Sequence, residues 1–318
     1  MNETHEHLFD DRRPFASCHA ATVAALPDGR LVAAWFGGTQ EGHPDTAIWG
    51  ATRTAAGWSP PRRLAKVADV AHWNPVLLQA PDGALHLWWK VGDSPRTWAT
   101  WTMVSADGGE RWSAPRELVP GDVGGRGPVK NRPLVLGDGT WLAPASRETS
   151  ERWEVFVDRS EDGGRTWAAG APLPVDQAVT GLGVIQPALW ESRPGHVHML
   201  TRSTCGRVCR SDSTDGGRSW SPLAPTELPN NNSGLDLARL PDGRLVLACN
   251  PVAGNWAART PLSLLLSEDN GATWRRWRDL EDGPGEYSYP SAIPVPGGVA
   301  VVYTWRRERI ACWAGPLP

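Results

Sequence analysis

The chain has 318 residues, with 32 Lys and Arg against 35 Asp and Glu and a formal net charge of −3. This balance argues against binding of nucleic acid through net positive charge, and 21% charged with 40% hydrophobic residues argues against a disordered chain. No apolar run approaches the roughly 18 residues of a membrane-spanning helix, and residues 1–11 lack the basic and apolar regions of a secretory signal. The five cysteines suit a reducing compartment better than a disulfide framework, so we expect a cytoplasmic protein without a membrane partner.

Short turn sequences recur along the chain, each between alternating apolar runs. Asp-Gly and Pro-Gly in such places indicate β-hairpins, because glycine accepts a positive φ without steric cost. The turns are Pro27-Asp28-Gly29, Pro81-Asp82-Gly83, Gly137-Asp138-Gly139, Arg193-Pro194-Gly195, Pro241-Asp242-Gly243 and Pro296-Gly297-Gly298. Six turns in 318 residues correspond to a period of 318/6, or 53, residues.

A second repeat has the pattern Ser-x-Asp-x-Gly-x-Ser/Thr-Trp. Its copies run from Ser105 to Trp112 (with Arg111 in the hydroxyl position), Ser160 to Trp167, Ser213 to Trp220 and Ser267 to Trp274, with a worn copy at Gly57-Trp58. Successive tryptophans of the repeat are 54, 55, 53 and 54 residues apart, which matches the period of the turns. In such a turn the Asp accepts backbone hydrogen bonds and the Trp packs between neighbouring sheets. We therefore interpret the copies as structural elements.

Together the two repeats predict a unit of four strands that occurs six times. Six such units form an all-β, six-bladed β-propeller of four-stranded antiparallel blades, in one domain over residues 1–318. The next copy of the second repeat would fall beyond the last residue. We therefore expect the segment around residues 5–13 to supply the outer strand of the last blade.

These repeats resemble the sialidase (neuraminidase) superfamily, in its bacterial neuraminidase repeat or Asp-box family, over the whole chain. Four stretches are typical of a divergent branch: S-C-H-A-A-T at 17–22, W-N-P at 73–75, G-P-V-K-N-R-P at 127–133 and G-E-Y-S-Y-P at 285–290. The resemblance implies the propeller fold. Because one fold supports several reactions, the function has to be argued from the site.

The first strand of each propeller blade lines the central tunnel, and the loop after the second strand returns to the same tunnel mouth. Counting back nine or ten positions from each hairpin glycine places these residues at the mouth: His19, Asn74, Lys130, Gln186, Gly234 (beside Ser233 and Asp236) and Tyr289. The loops add Glu41, His43, Asp45, Lys90, Arg96, Arg147, Glu148, Arg202, Asn250, Arg259, Arg306 and Arg307. Guanidinium groups present a planar fork suited to carboxylates, so the mouth predicts an anionic ligand, and the resemblance implies that this ligand is a small anionic saccharide or glycan.

The resemblance also implies roles in binding. Sialidases hold the carboxylate of the sugar with three arginines, of which Arg202 and Arg259 match the second and the third. His19 stands at the place of the first arginine. The predicted substrate-binding residues are Arg202, Arg259, Lys130, Arg96, Asn74, Asp236 and Glu286.

For catalysis, Tyr289 matches the tyrosine nucleophile of the family, and Gln186 stands where the family has the activating glutamate. A phenol has a pKa near 10 and is a poor nucleophile at neutral pH without a neighbouring base, and Glu286 and Asp236 are the candidates for the missing carboxylate. The acid/base aspartate of the family belongs to the first-blade loop. The predicted catalytic residues are Tyr289, Asp45, Glu41, His19 and Gln186.

Three functions are open at this point. The first is an exo-acting glycosidase for an anionic sugar other than ordinary sialic acid, such as a uronic or ulosonic acid. The second is a lyase that removes the proton next to the carboxylate of the sugar, with Tyr289 or His19 as base. The third is a non-catalytic glycan-binding propeller, or an enzyme that acts on a different acidic metabolite.

No cofactor or metal is predicted. His5 with His7 and His196 with His198 alternate along strands but lack a third ligand at metal spacing. No glycine-rich loop follows a strand and opens a helix, so a nucleotide site has no support in the sequence.

Overall fold

The computed structural model describes residues 2–317, which form 24 β-strands and one short helix. The first strand is β1 (Thr4–His7). Blade 1 contains β2 (Ser17–Ala25), β3 (Leu31–Gly38), β4 (Ala47–Thr54), β5 (Gly57–Trp58) and β6 (Arg62–Ala65). Blade 2 contains β7 (His72–Gln79), β8 (Leu85–Val91), β9 (Ala99–Ser105) and β10 (Arg116–Glu117). Blade 3 contains β11 (Leu134–Val135), β12 (Trp141–Glu148) and β13 (Trp153–Ser160).

Helix α1 (Gln177–Thr180) leads to the second half of the ring. Blade 4 contains β14 (Val184–Arg193), β15 (His196–Ser203), β16 (Arg207–Ser213) and β17 (Ala224–Pro229). Blade 5 contains β18 (Asp236–Arg239), β19 (Leu245–Cys249), β20 (Leu262–Ser267) and β21 (Arg275–Glu281). Blade 6 contains β22 (Tyr287–Val295), β23 (Gly298–Trp305) and β24 (Arg309–Pro316), with β1 at its outer edge.

The predicted closure of the ring is confirmed. β1 pairs antiparallel with β24, from Thr4 opposite Ala314 to His7 opposite Ala311. The first residues thus complete the blade that the last residues begin, and they cover an edge strand that would otherwise present unpaired backbone groups. β2 packs against both β7 and β22, so blade 1 lies between blade 2 and blade 6.

The core lies between the blades, because each sheet packs against a neighbour on both faces. All eight residues of β3 are buried, as expected for a strand without a solvent face. One apolar cluster joins Val23 and Trp35 of blade 1 to Val302 and Cys312 of blade 6. The blades are therefore held together mainly by apolar side chains, whose burial is the main favourable term in folding.

Blade 3 departs from the predicted four strands. In place of a fourth strand, the blade has a single antiparallel bridge between Arg159 and Ala168. The chain that follows this bridge contains Pro172 and Pro174, which have no N–H to continue a ladder. The blade therefore ends in a loop that leads into α1.

The Asp-containing turns have the structural role that their pattern predicts. In the copy that begins at Ser213, the Ser213 hydroxyl donates to Asp215 at 2.8 Å and accepts the Gly217 N–H at 2.9 Å. Trp220 packs in a cluster with Leu142 of blade 3, so the turn connects its blade to the previous one. The Gly216 N–H donates to the Gly195 carbonyl, which places the turn at the hairpin end of the blade, away from the predicted mouth. Within residues 2–317, no helix is both long and apolar enough to cross a membrane.

Candidate active site

The first strands of four blades share a backbone irregularity at the tunnel mouth. Ala20, Asn74, Gln186 and Tyr289 have φ values of 55°, 36°, 57° and 53°, and each lies at a shift of register against the next strand. Each lies nine residues before the hairpin glycine of its blade. A β-bulge with positive φ redirects a side chain and occurs preferentially beside active sites. In blade 1 the equivalent position is therefore Ala20, and His19 lies one residue before it.

At this mouth lies a cavity of about 220 Å³ to which all six blades contribute. It is lined by Glu41, Trp73, Asn74, Pro95, Trp98, Glu148, Gln186, Arg202, Trp256, Arg259, Tyr289 and Arg307, which we call the pocket residues. The predicted residues Asn74, Gln186, Arg202, Arg259, Tyr289 and Glu41 are thus brought together.

Arg202 is the most deeply buried cation of the pocket, with 2% of its surface exposed. Its Nη1 donates to the Tyr289 phenol oxygen at 2.7 Å and to Gln186 Oε1 at 3.3 Å, and its Nε donates to Asn232 at 2.9 Å. Its Nη2 donates to no residue in the described range. Because no carboxylate pairs with this guanidinium and burial of an unpaired charge is costly, the site favours an anion that Nη2 can reach.

Two further arginines flank a half-buried carboxylate. Arg259 Nη1 donates to Glu286 Oε1 at 2.7 Å, and Arg307 Nε donates to the same oxygen at 2.9 Å. Burial alone would raise the pKa of Glu286, but the two guanidinium groups outweigh it and hold the pKa below its usual value. Glu286 is therefore the anion that keeps Arg259 and Arg307 side by side, and it also accepts from the Ser288 hydroxyl at 3.0 Å.

Arg307 is a third arginine of the pocket, whereas His19, which the sequence pattern places at the mouth, does not line it. Arg307 lies in the turn between β23 and β24, where Arg306 and Arg307 have φ values of 53° and 59°. Two successive positive φ values are typical of a tight hairpin turn and are unusual for residues other than glycine. This turn directs Arg307 into the pocket, where it also pairs with Glu41.

Glu148, at the end of β12, is a pocket carboxylate that the predicted catalytic and binding sets lacked. Its side chain makes no hydrogen bond or ion pair with any residue between 2 and 317. Burial raises its pKa, and the negative charge of Glu41 adds to this, while Arg202 and Arg96 oppose it. The only sequence signal was its place in the loop set beside Arg147.

Of the two predicted acid/base residues, Glu41 lines the pocket and Asp45 lies outside it. The exposed carboxylate of Asp45 accepts the backbone N–H of Thr39 at 3.0 Å and the hydroxyl of Thr39 at 2.7 Å, and it is paired with His43 at 2.7 Å. Burial alone would raise its pKa, but the hydrogen bonds from Thr39 and His43 together outweigh burial and lower it. A carboxylate that is held in its ionised form is poorly suited to donate a proton.

Lys130 and Asp236 lie beneath the pocket floor and do not line it. Lys130 Nζ donates to Asn131 Oδ1 at 2.9 Å, to the Leu235 carbonyl at 3.0 Å and to the Pro290 carbonyl. Burial lowers the pKa of Lys130 to about 8. Asp236 accepts the Ala292 N–H at 2.9 Å and pairs with Arg132. Because their polar atoms are already used in the fold, both act as supports for the pocket.

His19 and Arg96 are also outside the pocket residues. The His19 ring packs behind Tyr289, with the ring centroids 4.2 Å apart, and its Nδ1 is 2.9 Å from the Thr304 hydroxyl. Burial, reinforced by the nearby arginines and Lys130, holds the pKa of His19 well below its usual value, so the imidazole is neutral. Arg96 is exposed beside Pro95, which does line the cavity.

Within residues 2–317, no group of three or more His, Cys, Asp or Glu side chains is arranged to hold a metal ion. The pocket instead contains guanidinium, phenol, amide and carboxylate groups. These can bind an anion, donate a proton and stabilise charge at a reacting carbon without a protein-bound metal.

The sequence matches the family of BNR repeat-like domains over residues 29–302, and no curated protein matches it significantly. A protein of unknown function from Dyadobacter fermentans superposes with a TM-score of 0.80 at 17% identity, over 98% of this chain and 97% of its own. A Hadza microbial sialidase gives 0.81 at 16% identity, over 95% of this chain and 66% of its own. The NanB sialidase from Streptococcus pneumoniae gives 0.76 at 14%, over 97% and 70%. The chain therefore belongs to the BNR repeat-like family and has the six-bladed propeller fold of sialidases.

Proposed function

We propose that this protein is a sialidase-like exo-glycosidase that releases a terminal carboxylate-bearing sugar, such as a uronic or ulosonic acid. The observation that carries the proposal is the meeting of Arg202, Arg259 and Arg307 in one pocket. Arginine forks recognise carboxylates by paired, charge-assisted hydrogen bonds. Among residues 2–317, no carboxylate pairs with Arg202, which supports an acidic ligand.

The shape of the pocket supports action on one terminal sugar. Its volume of about 220 Å³ is below the range of roughly 300–1,000 Å³ that is usual for drug-sized ligands. Trp256 lines the pocket with 62% of its surface exposed, and the buried Trp73 and Trp98 line it as well. Exposed indole faces bind the apolar face of a sugar ring.

Two residues fit the chemical step. Glu148 has a raised pKa and faces the cavity, so it is the candidate that protonates the departing glycosidic oxygen. Tyr289 lies at the floor, where its oxygen can stabilise or attack the anomeric carbon as positive charge develops there. Glycosidases of this kind need a proton donor on one side of the bond and a nucleophile on the other.

The test is a screen with umbelliferyl glycosides of ulosonic and uronic acids, each beside its methyl ester. We expect a fluorescent product from at least one acid and from no ester, because esterification removes the charge that the arginines bind. Turnover of neutral glycosides at the same rate, or of none of the acids, would contradict the proposal.

A lyase is the second candidate, and one observation favours it. Gln186, at the place of the family glutamate, is neutral and donates to Tyr289 Oη at 3.3 Å. An elimination uses a tyrosine base and cationic groups that hold enolate-like charge, and it requires no carboxylate beside the tyrosine. Ultraviolet absorbance of a conjugated double bond in the product would identify a lyase. A saturated sugar product would identify a hydrolase.

A further inference from the structure

Three successive asparagines, Asn230, Asn231 and Asn232, lie in the loop between β17 and β18, and each is at most 1% exposed. Asn232 supports the buried Arg202, because its Oδ1 accepts the hydrogen of Arg202 Nε at 2.9 Å. Asn230 fixes this contact from the backbone, since its Oδ1 accepts the Asn232 N–H at 3.0 Å and the Ser203 N–H at 3.3 Å. The loop thus holds the Asn232 side chain against the guanidinium, although none of the three asparagines lines the cavity.

The orientation of the Asn232 amide follows from its two partners. Arg202 Nε can only donate a hydrogen, so the amide oxygen faces it. At the other end of the amide, Asn232 Nδ2 donates to Asn255 Oδ1 at 2.7 Å. Asn255 directly precedes Trp256, a pocket residue of blade 5. The amide therefore joins the guanidinium to the loop that carries the exposed indole.

The other side chains that contact the Arg202 guanidinium are amide and aromatic groups as well. Its Nη1 donates to Gln186 Oε1 and to the Tyr289 oxygen. The ring centroids of Trp153 and Trp256 are each 5.6 Å from the guanidinium carbon, and the face of an indole attracts a cation without neutralising it. Among residues 2–317, no carboxylate forms an ion pair with this arginine. A buried guanidinium that is held in this way keeps its charge available to an anionic ligand.

The other two arginines of the pocket show what a carboxylate in the place of the Asn232 amide would change. Arg259 and Arg307 are both paired with Glu286. A guanidinium beside a carboxylate attracts a second anion less strongly, because the two opposite charges act on that anion together. Asparagine and aspartate have nearly the same shape, so the residue at position 232 sets the charge beside Arg202 independently of its geometry.

We propose that Asn232 is a specificity-determining residue, which makes the pocket select a carboxylate-bearing sugar over its neutral analogues. Its amide positions Arg202 and leaves the positive charge of the guanidinium for the carboxylate of the sugar. Asn232 does not line the cavity, so it acts as a positioning residue through Arg202. The substrate class rests on the proposed function, whereas selective binding of an acid by the free protein can be measured without turnover.

The test measures, by titration calorimetry, the binding of free glucuronic, galacturonic and ketodeoxyoctonic acids, each beside its methyl ester. We expect the wild type to bind at least one acid more tightly than its ester. Asn232→Asp keeps the size of the side chain and suits the φ of 57° at this position. Its affinity for that acid should fall by about tenfold or more, as when one charge-assisted hydrogen bond is lost, while its affinity for the ester is unchanged. With a glycoside that is turned over, the same loss should appear in KM and not in kcat.

Asn255→Asp is the matched control for the added charge. The residue is exposed and bonds to Asn232 rather than to Arg202, and a carboxylate there still accepts the Asn232 Nδ2 hydrogen. Because an exposed charge is screened by solvent, this variant should keep the preference of the wild type for the acid.

Asn232→Gly separates position from charge. Glycine accepts the positive φ, so the backbone is kept while Arg202 Nε loses its acceptor. We expect the acid to bind more weakly than in the wild type and still more tightly than the ester. Equal losses of preference in Asn232→Gly and Asn232→Asp, or a wild type that prefers no acid over its ester, would overturn the inference.

Two outcomes distinguish this inference from the proposed function. Turnover of an acidic glycoside by Asn232→Asp with the wild-type KM would overturn the inference and leave the proposed function standing. A preference for the acid that is lost in Asn232→Asp, without turnover of any glycoside by the wild type, would do the reverse.

Discussion

The two ends of the propeller are both built from repeats, but they use repetition differently. At the hairpin end, the Asp-containing turns keep the same serine, aspartate, glycine and tryptophan, and in all four copies the serine hydroxyl accepts the glycine N–H at 2.8–2.9 Å. At the pocket end, the same backbone bulge carries Ala20, Asn74, Gln186 or Tyr289. Repetition of side chains therefore marks the scaffold, and repetition of backbone with changing side chains marks the site.

This contrast implies that substitutions at the pocket end should change chemistry with little effect on folding. Substitutions at the hairpin end should change stability with little effect on chemistry. Kinetics with the acidic glycoside identified by the screen, together with unfolding measurements, can test whether the two ends differ in this way.

The largest effect is expected for Tyr289→Phe. The variant keeps the ring that packs on His19 and loses the oxygen that meets the anomeric carbon. We expect kcat/KM to fall by about 10⁴-fold, as for other residues that act directly on the reacting atoms, with an unchanged midpoint of thermal unfolding. Tyr287→Phe, outside the pocket residues, should keep normal kinetics. A loss of less than tenfold in Tyr289→Phe would mean that the residue at this bulge takes no direct part in catalysis.

Glu148→Gln comes next. Loss of a general acid costs about 10²–10⁴-fold, so we expect kcat to fall within that range for substrates with poor leaving groups. Because the raised pKa of Glu148 keeps it protonated to higher pH, wild-type kcat should decline as the pH rises through that pKa, and this limb should disappear in the variant. Glu41→Gln, which changes the other pocket carboxylate, should keep the limb. An unchanged pH profile in Glu148→Gln would exclude it as the acid.

The difference between the two ends also explains what the sequence could predict. The period of about 53 residues predicted six blades, their closure by the first strand and the Asp-containing turns, because each depends on contacts repeated from blade to blade. The nine-residue offset predicted Asn74, Gln186 and Tyr289 at the mouth, because the bulge occurs at the same distance from each hairpin. In blade 1 the same offset leads to Ala20, so counting ten to His19 gave a residue behind the site.

The loops were less predictable because their lengths and turns differ between blades. Arg307 enters the pocket only because two successive residues of its turn have positive φ, and no repeat signals such a conformation in arginine. Nothing in the sequence indicated that Glu148 would line the pocket while the neighbouring Arg147 is exposed. Asp45 matched the family by position, but its carboxylate is used by Thr39 and His43 within its own loop.

Arg307→Met should have an intermediate effect that is confined to binding. Loss of one charge-assisted hydrogen-bonding group costs about 2 kcal/mol, so we expect KM to rise by about 30-fold while kcat changes little. Arg306→Met is the matched control, because this neighbour is exposed and donates to Pro284 and Tyr287 outside the pocket. Equal effects of the two substitutions would mean that the charge of the turn matters and its conformation does not.

A smaller effect is expected for Trp256→Ala. Stacking of an aromatic ring contributes about 0.5–1.5 kcal/mol beyond area burial, so KM should rise by about two- to tenfold. Because 62% of Trp256 is exposed, the midpoint of thermal unfolding should stay within error. Leu182→Ala, another exposed apolar residue that does not line the pocket, should leave KM unchanged. A KM that is insensitive to Trp256→Ala would place the bound sugar away from this indole.

At the hairpin end, Asp162→Asn should leave kcat and KM unchanged and alter only the stability of the fold and its dependence on pH. The Thr166 hydroxyl and backbone N–H, which donate to Asp162 at 2.6 and 2.9 Å, lower its pKa to about 2 from the usual 3.8. A carboxyl whose folded pKa is lowered stabilises the fold fully above about pH 4 and loses that contribution as the pH falls towards 2. We expect the urea midpoint of the variant to be lower than that of the wild type at neutral pH and to depend less on pH below 4. Asp93→Asn, an exposed control whose side chain bonds to no residue in the described range, should follow the wild type. A kinetic defect in Asp162→Asn without loss of stability would contradict the functional separation of the two ends, because a turn at the hairpin end would then influence catalysis.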